Sequence, residues 1–144
     1  MIDAHSRRVI GWAIDEHMRA DLVEQALQMA ITLRGELPAE VVFHADRGTQ
    51  YASAQITTFA ATNGITRSMG RTGVCWDNAM AESFFSALKN ERVYRTVYAT
   101  KTQARRDVIG YIEGFYNSRR RHSALDYRRP NEVHYSYEQP ALAA

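Results

Sequence analysis

The chain has 144 residues, 45% hydrophobic and 24% charged, the balance of a globular protein long enough to bury one core of ordinary size. A single cysteine, Cys75, excludes a disulfide framework and a Cys-x-x-Cys zinc site and suits a reducing cytoplasm; the absence of a long apolar run and of a signal pattern argues against membrane insertion and secretion. The net charge of +2 is unevenly spread, with seven Lys/Arg against ten Asp/Glu in residues 1–83 and eleven against six in residues 84–144, so the basic second half points to a polyanionic partner.

Ile2 to Arg8 read as the end of a strand and a tight turn, and Val9 to Ile14 as the returning strand of a hairpin. From Arg19 to Leu33, the residues Leu22, Val23, Ala26, Leu27, Ala30, Ile31 and Leu33 keep helical spacing, with Gly35 as a stop and Pro38 beyond it. Val41-Val42-Phe43 are β-formers and predict a buried strand over 41–45, closed by the turn chemistry of Arg47-Gly48-Thr49. Ser53 to about Thr62 is a shorter helix with Ile56, Phe59 and Ala60 inward and Asn63-Gly64 as its terminator; Ile65 to Ser68 is a short strand. Gly70-Arg71-Thr72-Gly73 opens a loop, and without a following Gly-Lys-Ser/Thr it is a connection and no nucleotide cradle. Ala81, Phe84, Phe85 and Leu88 form one apolar helical stripe with Asp77 as N-cap. Tyr94 to Tyr98 is an extended link, Thr100 and Gln103 form a capping box, and Ala104, Val108, Tyr111, Ile112, Phe115 and Tyr116 mark a long helix to about Arg119. A core over residues 1–130 and a Tyr-rich tail over 131–144 are the expected division.

Two carboxylates are the candidates for chemistry. Asp46 stands at the C-terminal end of a strand, where open α/β sheets place their sites, and Glu82 stands at the rim of the apolar stripe of its helix. Paired carboxylates suit hard divalent cations: Mg²⁺ is usually held by one or two carboxylates plus substrate phosphate, and two such ions can serve an in-line phosphoryl transfer. The five histidines are scattered and make no zinc spacing; His44 reads equally as a site neighbour and as a structural residue.

His44-Ala45-Asp46-Arg47-Gly48-Thr49-Gln50-Tyr51, followed by Asp77-Asn78-Ala79-Met80-Ala81-Glu82-Ser83-Phe84-Phe85, resembles the second and third acidic positions of the DDE transposases of bacterial insertion sequences, relatives of retroviral integrases. Asp3 to Trp12 resembles that group's second and third strands, and Tyr116-Asn117 through Arg121-His122, Leu125, Tyr127 and Pro130 its C-terminal signature. The resemblance implies an α/β RNase H-like fold, a mixed sheet flanked by helices and here without its first strand, because the family's first catalytic Asp lies upstream of the motif that begins at Asp3. It implies a metal-dependent DNA cleavage and strand-transfer core with Asp46 and Glu82 as catalytic and metal-binding residues, Mg²⁺ as cofactor with Mn²⁺ as its substitute, and DNA as partner, both transposon ends and target. A homo-oligomer in the transposition complex is also implied. Arg47, Asn78 and Lys89 would support the site or the DNA end, and Arg119, Arg120 and Arg121 would meet phosphates. Asp126 stands where the signature more usually has glycine, which puts the local turn in question. Two alternatives stay open: a catalytically incomplete remnant that only binds DNA or a partner transposase, and an RNase H-like nuclease that cuts without joining.

Overall fold

The structure is a computed structural model that describes residues 1–70 and 79–136. Most of the Gly70 loop, the Asp77 cap and Asn78 therefore lie outside the described residues. Two compact units divide the chain, one of Met1 and Ile10–Ser83, the other of Ile2–Val9 and Phe84–Ala144.

The first unit is α/β. Helix α1 (Ala20–Arg34) buries Val23, Ala26, Leu27 and Ala30 of the predicted stripe, leaves Leu22 and Ile31 half-buried and Leu33 exposed, and ends at Gly35 with φ 69°. Strand β1 (Val41–Ala45), helix α2 (Ala54–Thr62) and strand β2 (Ile65–Met69) follow as a βαβ unit. The two strands pair in parallel, from Val41 opposite Ile65 to Ala45 opposite Met69, as a helical crossover requires. Ser53 caps α2 by accepting the Ile56 N–H at 3.3 Å, and Gly64 with φ 68° lets the chain turn out of it. Val23, Leu27 and the fully buried Ile56 make the core, with Phe43, Tyr51 and Phe59 packed on it.

Strand β1 departs from the expected buried strand. Phe43 and Ala45 turn toward the covered face, while Val42 is 61% exposed and His44 is also open, so only one face is covered. Period-two alternation, hidden by three consecutive apolar residues, is what the fold uses. Gly11 has a different constraint: a Cβ there would lie 2.0 Å from the Ala26 carbonyl oxygen, so any side chain would push the segment away from α1.

The second unit begins with the Asp3 turn. The Asp3 carboxylate accepts the His5 N–H at 2.9 Å, and the Asp3 N–H donates to the Arg8 carbonyl at 2.9 Å. The expected hairpin is reduced to one antiparallel bridge, Ile2 with Val9. Val9 turns its own N–H and carbonyl to the edge away from Ile2, where the Asn117 carboxamide accepts the N–H at 2.9 Å and donates to the carbonyl at 3.0 Å.

Helix α3 (Ala79–Glu91) runs from the first unit into the second, burying Phe84 and Leu88. Phe85, expected on the buried stripe, is exposed and touches only the edge of the Phe84 ring among the ring contacts seen, at 5.3 Å between centroids. A 3₁₀ turn (Val93–Arg95) leads to helix α4 (Lys101–Gly110), capped by Thr100 Oγ1, which accepts the Gln103 N–H at 3.1 Å. Gln103 returns the bond to the Ala99 N–H at 2.9 Å.

The long helix expected to Arg119 changes character at Tyr111. Residues Tyr111–Tyr116 form a π-helix, with the Asn117 N–H reaching back five residues to the Ile112 carbonyl at 2.9 Å. In an α-helix five residues turn the chain by about 500°, so Tyr116 would leave the face of Tyr111. The wider turn keeps Tyr111, Ile112, Tyr116 and Asn117 all buried and leaves Phe115, 42% exposed, outside that face. Helix α5 (Pro130–Tyr135) starts at Pro130, which with Val133 is buried, so the 130/131 division falls inside a packed helix.

Asp126 and Tyr127 both sit in the left-handed region, with φ 52° and 59°. The position where glycine is usual thus keeps the backbone that glycine favours, with an aspartate in it. Asp126→Gly is expected to stabilise the protein by about 0.5 kcal/mol, read from the urea midpoint. Asn117→Ala, which leaves both Val9 backbone groups unmatched, is expected to cost about 2–4 kcal/mol. Asn117→Asp keeps an acceptor but sets an oxygen against the Val9 carbonyl, and its midpoint should fall at least as far.

Candidate active site and basic segment

Asp46 leaves β1 directly into a turn that its own side chain closes. Its Oδ1 accepts the Gly48 N–H at 2.9 Å, and the Gly48 carbonyl then accepts the Tyr51 N–H at 3.0 Å. The turn is anchored on both sides. Tyr51 packs its ring edge on Phe43 with centroids 6.2 Å apart, and Arg67 on β2 donates through Nη2 to the Tyr51 carbonyl at 2.7 Å and through Nη1 to Thr57 Oγ1. Burial, followed by the Asp46 charge, raises the Tyr51 phenol above its ordinary range, which keeps it a proton donor. A Cβ at Gly48 would come 3.0 Å from Asp46 Oδ1 and 2.8 Å from Gln50 Nε2, so a side chain there would have to displace the flexible end of Gln50.

Arg47, the next residue, is exposed but donates from Nε to the Gly70 carbonyl at 3.0 Å, and the Gly70 N–H in turn donates to the Ala45 carbonyl at 2.9 Å. His44 shares a hydrogen bond of 3.0 Å with Ser68, its partner in the strand register.

Glu82 lies in the first turn of α3 and is exposed, so water or a ligand reaches it freely. Lys89 lies seven residues on in the last turn, also exposed, two turns along the same helix. Asn78 lies outside the described residues. Asp46 and Glu82 belong to the same unit, and both offer the hard oxygen donors that a divalent ion of the Mg²⁺ kind takes, so the donor chemistry fits such an ion. No group of three His, Cys, Asp or Glu that could hold a metal forms among the described residues. Two surface hollows of this unit, along α1 and α2, include neither carboxylate. Both acids are exposed among the described residues.

The basic segment divides into unlike residues. Arg119 and Arg121 are exposed. Arg120 is held: its Nε donates to Glu91 Oε1 at 3.0 Å and its Nη2 lies 2.9 Å from the same oxygen, while its guanidinium stacks 5.8 Å from the Tyr116 ring centroid. Tyr111 donates its phenol to Glu91 Oε2 at 2.6 Å. Burial alone would raise the Glu91 carboxyl, but the bonds from Arg120 and Tyr111 and the nearby charge hold it below the usual range. Tyr111 is pushed up by burial and by its bond to Glu91. His122, edge-on to Tyr116 at 4.9 Å, is held below its ordinary pKa by burial and by Arg120 and Arg7.

Tyr51, Arg67 and Glu91 have no place in the expected site. A mid-strand arginine in a five-residue strand was the available signal for Arg67. Glu91 carried none, because its partners lie 20 and 29 residues away.

A βαβ core with a strand-end aspartate and a helical glutamate defines an α/β protein of the integrase-core class. The chain belongs to the integrase core domain family, whose models match residues 1–75 and 63–130. It is 36% identical over 91% of its length to the transposase for insertion sequence element IS904 of Lactococcus lactis, covering 51% of that protein. It is 42% identical over 85% of its length to transposase InsF for insertion sequence IS3A of Escherichia coli, covering 42% of that protein. The chain thus spans about half the length of the curated relatives it matches. The HTLV-2 integrase catalytic core domain, solved in complex with magnesium in a dimeric form, shares the fold with a TM-score of 0.56 over 94% of this chain and 81% of that one, at 15% identity. Among the described residues no helix is long and apolar enough to cross a membrane.

The Glu91 network sets an acid limb of stability. A carboxyl whose folded pKa is depressed stabilises fully above its unfolded pKa, about 4.3, and loses that contribution as pH falls through the folded value. Glu91→Gln should therefore lower the urea midpoint at pH 7, and the gap to the parent chain should narrow as pH falls below the unfolded value; a gap constant across the acid range would assign the loss to packing alone.

Proposed function

We propose that this chain is a transposase catalytic core that cuts DNA at transposon ends and joins the freed 3′-OH to target DNA. The observation that carries the reading is the placement of two exposed carboxylates in one unit of an integrase core, Asp46 closing a strand-end turn and Glu82 opening a helix. Asp46 and Glu82 would hold Mg²⁺, or Mn²⁺ in its place, and the ion when bound would polarise the scissile phosphate and stabilise the leaving oxygen. The chain's own part is positioning. The Gly48 N–H orients the Asp46 carboxylate, the Arg67 and Tyr51 contacts hold the turn that carries it, and Lys89 on the Glu82 helix offers a cation for a DNA phosphate. Arg119 and Arg121 extend the phosphate-binding surface. Pairing of copies in a transposition complex and action in the cytoplasm complete the reading.

A second reading, that the chain binds DNA or a partner transposase without chemistry, is favoured by one observation: no set of three metal-ligating residues forms among the described residues.

The two readings separate in one assay. With labelled duplex carrying the transposon end, plasmid target and Mg²⁺, the 144-residue chain is expected to be inactive alone, and catalysis by the chain extended upstream to supply the family's first Asp predicts joined product that falls at least about 100-fold, or about 3 kcal/mol, in Asp46→Asn and in Glu82→Gln of that extended chain. Duplex binding without product from the extended chain selects the second reading. Product of undiminished yield from Glu82→Gln would refute the site assignment.

A further inference from the structure

Three adjacent arginines have the same composition-level reading, yet the structure treats the middle one differently. Arg120 makes a fork on Glu91, with Nε 3.0 and 3.2 Å from the two oxygens and Nη2 2.9 Å from Oε1, and Glu91 also takes the Tyr111 phenol. This carboxylate is saturated with donors, and its partner's charge is offset about 3 Å away. The chain is fixed on both sides of the segment. Before it, the Arg119 and Arg120 N–H groups both donate to the Phe115 carbonyl at 2.8 Å, closing the π-helix. After it, the His122 N–H donates to the Arg128 carbonyl at 3.2 Å, and the His122 carbonyl accepts from Leu125 and Tyr127. Arg119 and Arg121 emerge to solvent between these two clamps.

We propose that the Glu91–Arg120 fork is a positioning device for a phosphate-binding segment: Arg120 turns inward onto the end of α3 and sets Arg119 and Arg121, on either side of it, against the DNA backbone. The proposal rests on the DNA-binding reading above and assigns unlike roles within it. An arginine already paired adds little to the counterion release that drives backbone binding, whereas two solvent-facing arginines held at fixed spacing lose less freedom on binding than a loose tail would. Glu91, an acid beside a polyanion site, is on this account needed for affinity.

The test measures binding of the 144-residue chain to a random-sequence duplex of about 30 base pairs across a salt series, with thermal melts confirming that each variant is folded at the assay temperature. The Arg119→Ala/Arg121→Ala variant should lower the slope of log K against log salt by about 1.8, at about 0.9 per contact. An unchanged slope there overturns the DNA role of the segment, and the positioning role with it. Glu91→Ala adds one unit of positive charge, so charge alone predicts tighter binding; positioning predicts affinity at least about tenfold weaker with a shallower slope, a change that lost stability in a still-folded protein would not produce. The exchange Glu91→Arg/Arg120→Glu should return affinity to within about threefold of the parent, while Arg120→Glu alone should not. If Glu91→Ala does not fold, Glu91→Gln carries the same comparison. Tighter or unchanged binding by the Glu91 variants, or an exchange variant as weak as Arg120→Glu alone, would overturn the positioning role while leaving DNA binding by Arg119 and Arg121 in place.

Discussion

One buried carboxamide organises the second unit. Asn117 is fully buried and gives both its functions to Val9, accepting the N–H and donating to the carbonyl, the two bonds that an antiparallel strand would have made. A buried backbone amide must find a partner, and here the partner comes from 108 residues along the chain. The rest of the unit's geometry is consistent with that demand. For Asn117 to face Val9 while Tyr111 and Ile112 stay buried, the helix must gain a residue per turn, and the π segment supplies it. The Asn117 carbonyl then accepts the Asn131 N–H at 2.9 Å, which ties α5 to the same point. The Asp3 turn belongs to this assembly too, with His134 of α5 3.7 Å from the Asp3 carboxylate and the Arg8 guanidinium 5.2 Å from the Tyr135 ring.

Local regularity was legible in the sequence and long-range substitution was not. Most of the α1 stripe, the α2 stripe, their glycine exits, the Thr100 cap and the strands β1 and β2 all follow from residues within one turn or one strand of each other, so pattern alone places them. The same holds for Asp46, whose turn is built from its neighbours. The π-helix could not be read, because Ala104, Val108, Tyr111, Ile112, Phe115 and Tyr116 satisfy α spacing as well, and only the Val9 bond from Asn117 distinguishes the two registers. The hairpin is present as the single Ile2–Val9 bridge, and the Asn117 side chain that satisfies the outer edge of Val9 is a partner that pattern cannot anticipate. Arg119, Arg120 and Arg121 show the limit at the site itself. Composition gives three equal cations, and only the position of Glu91 divides them.

The two candidate acids are supported by different physics, and that difference bears on how such a site works. Asp46 is fixed within its own turn, by a hydrogen bond two residues away and by an arginine and a tyrosine that hold the turn to the sheet. Its orientation does not depend on a ligand. Glu82 has only the helix beneath it; as an exposed first-turn residue its carboxylate keeps its rotamer freedom until something binds. One acid is thus ordered before any ligand arrives, and the other would be ordered by it. On the proposed function, the entropy of ordering Glu82 would have to be offset by the ligand that orders it, so affinity for the nucleic-acid backbone would contribute to assembling the site.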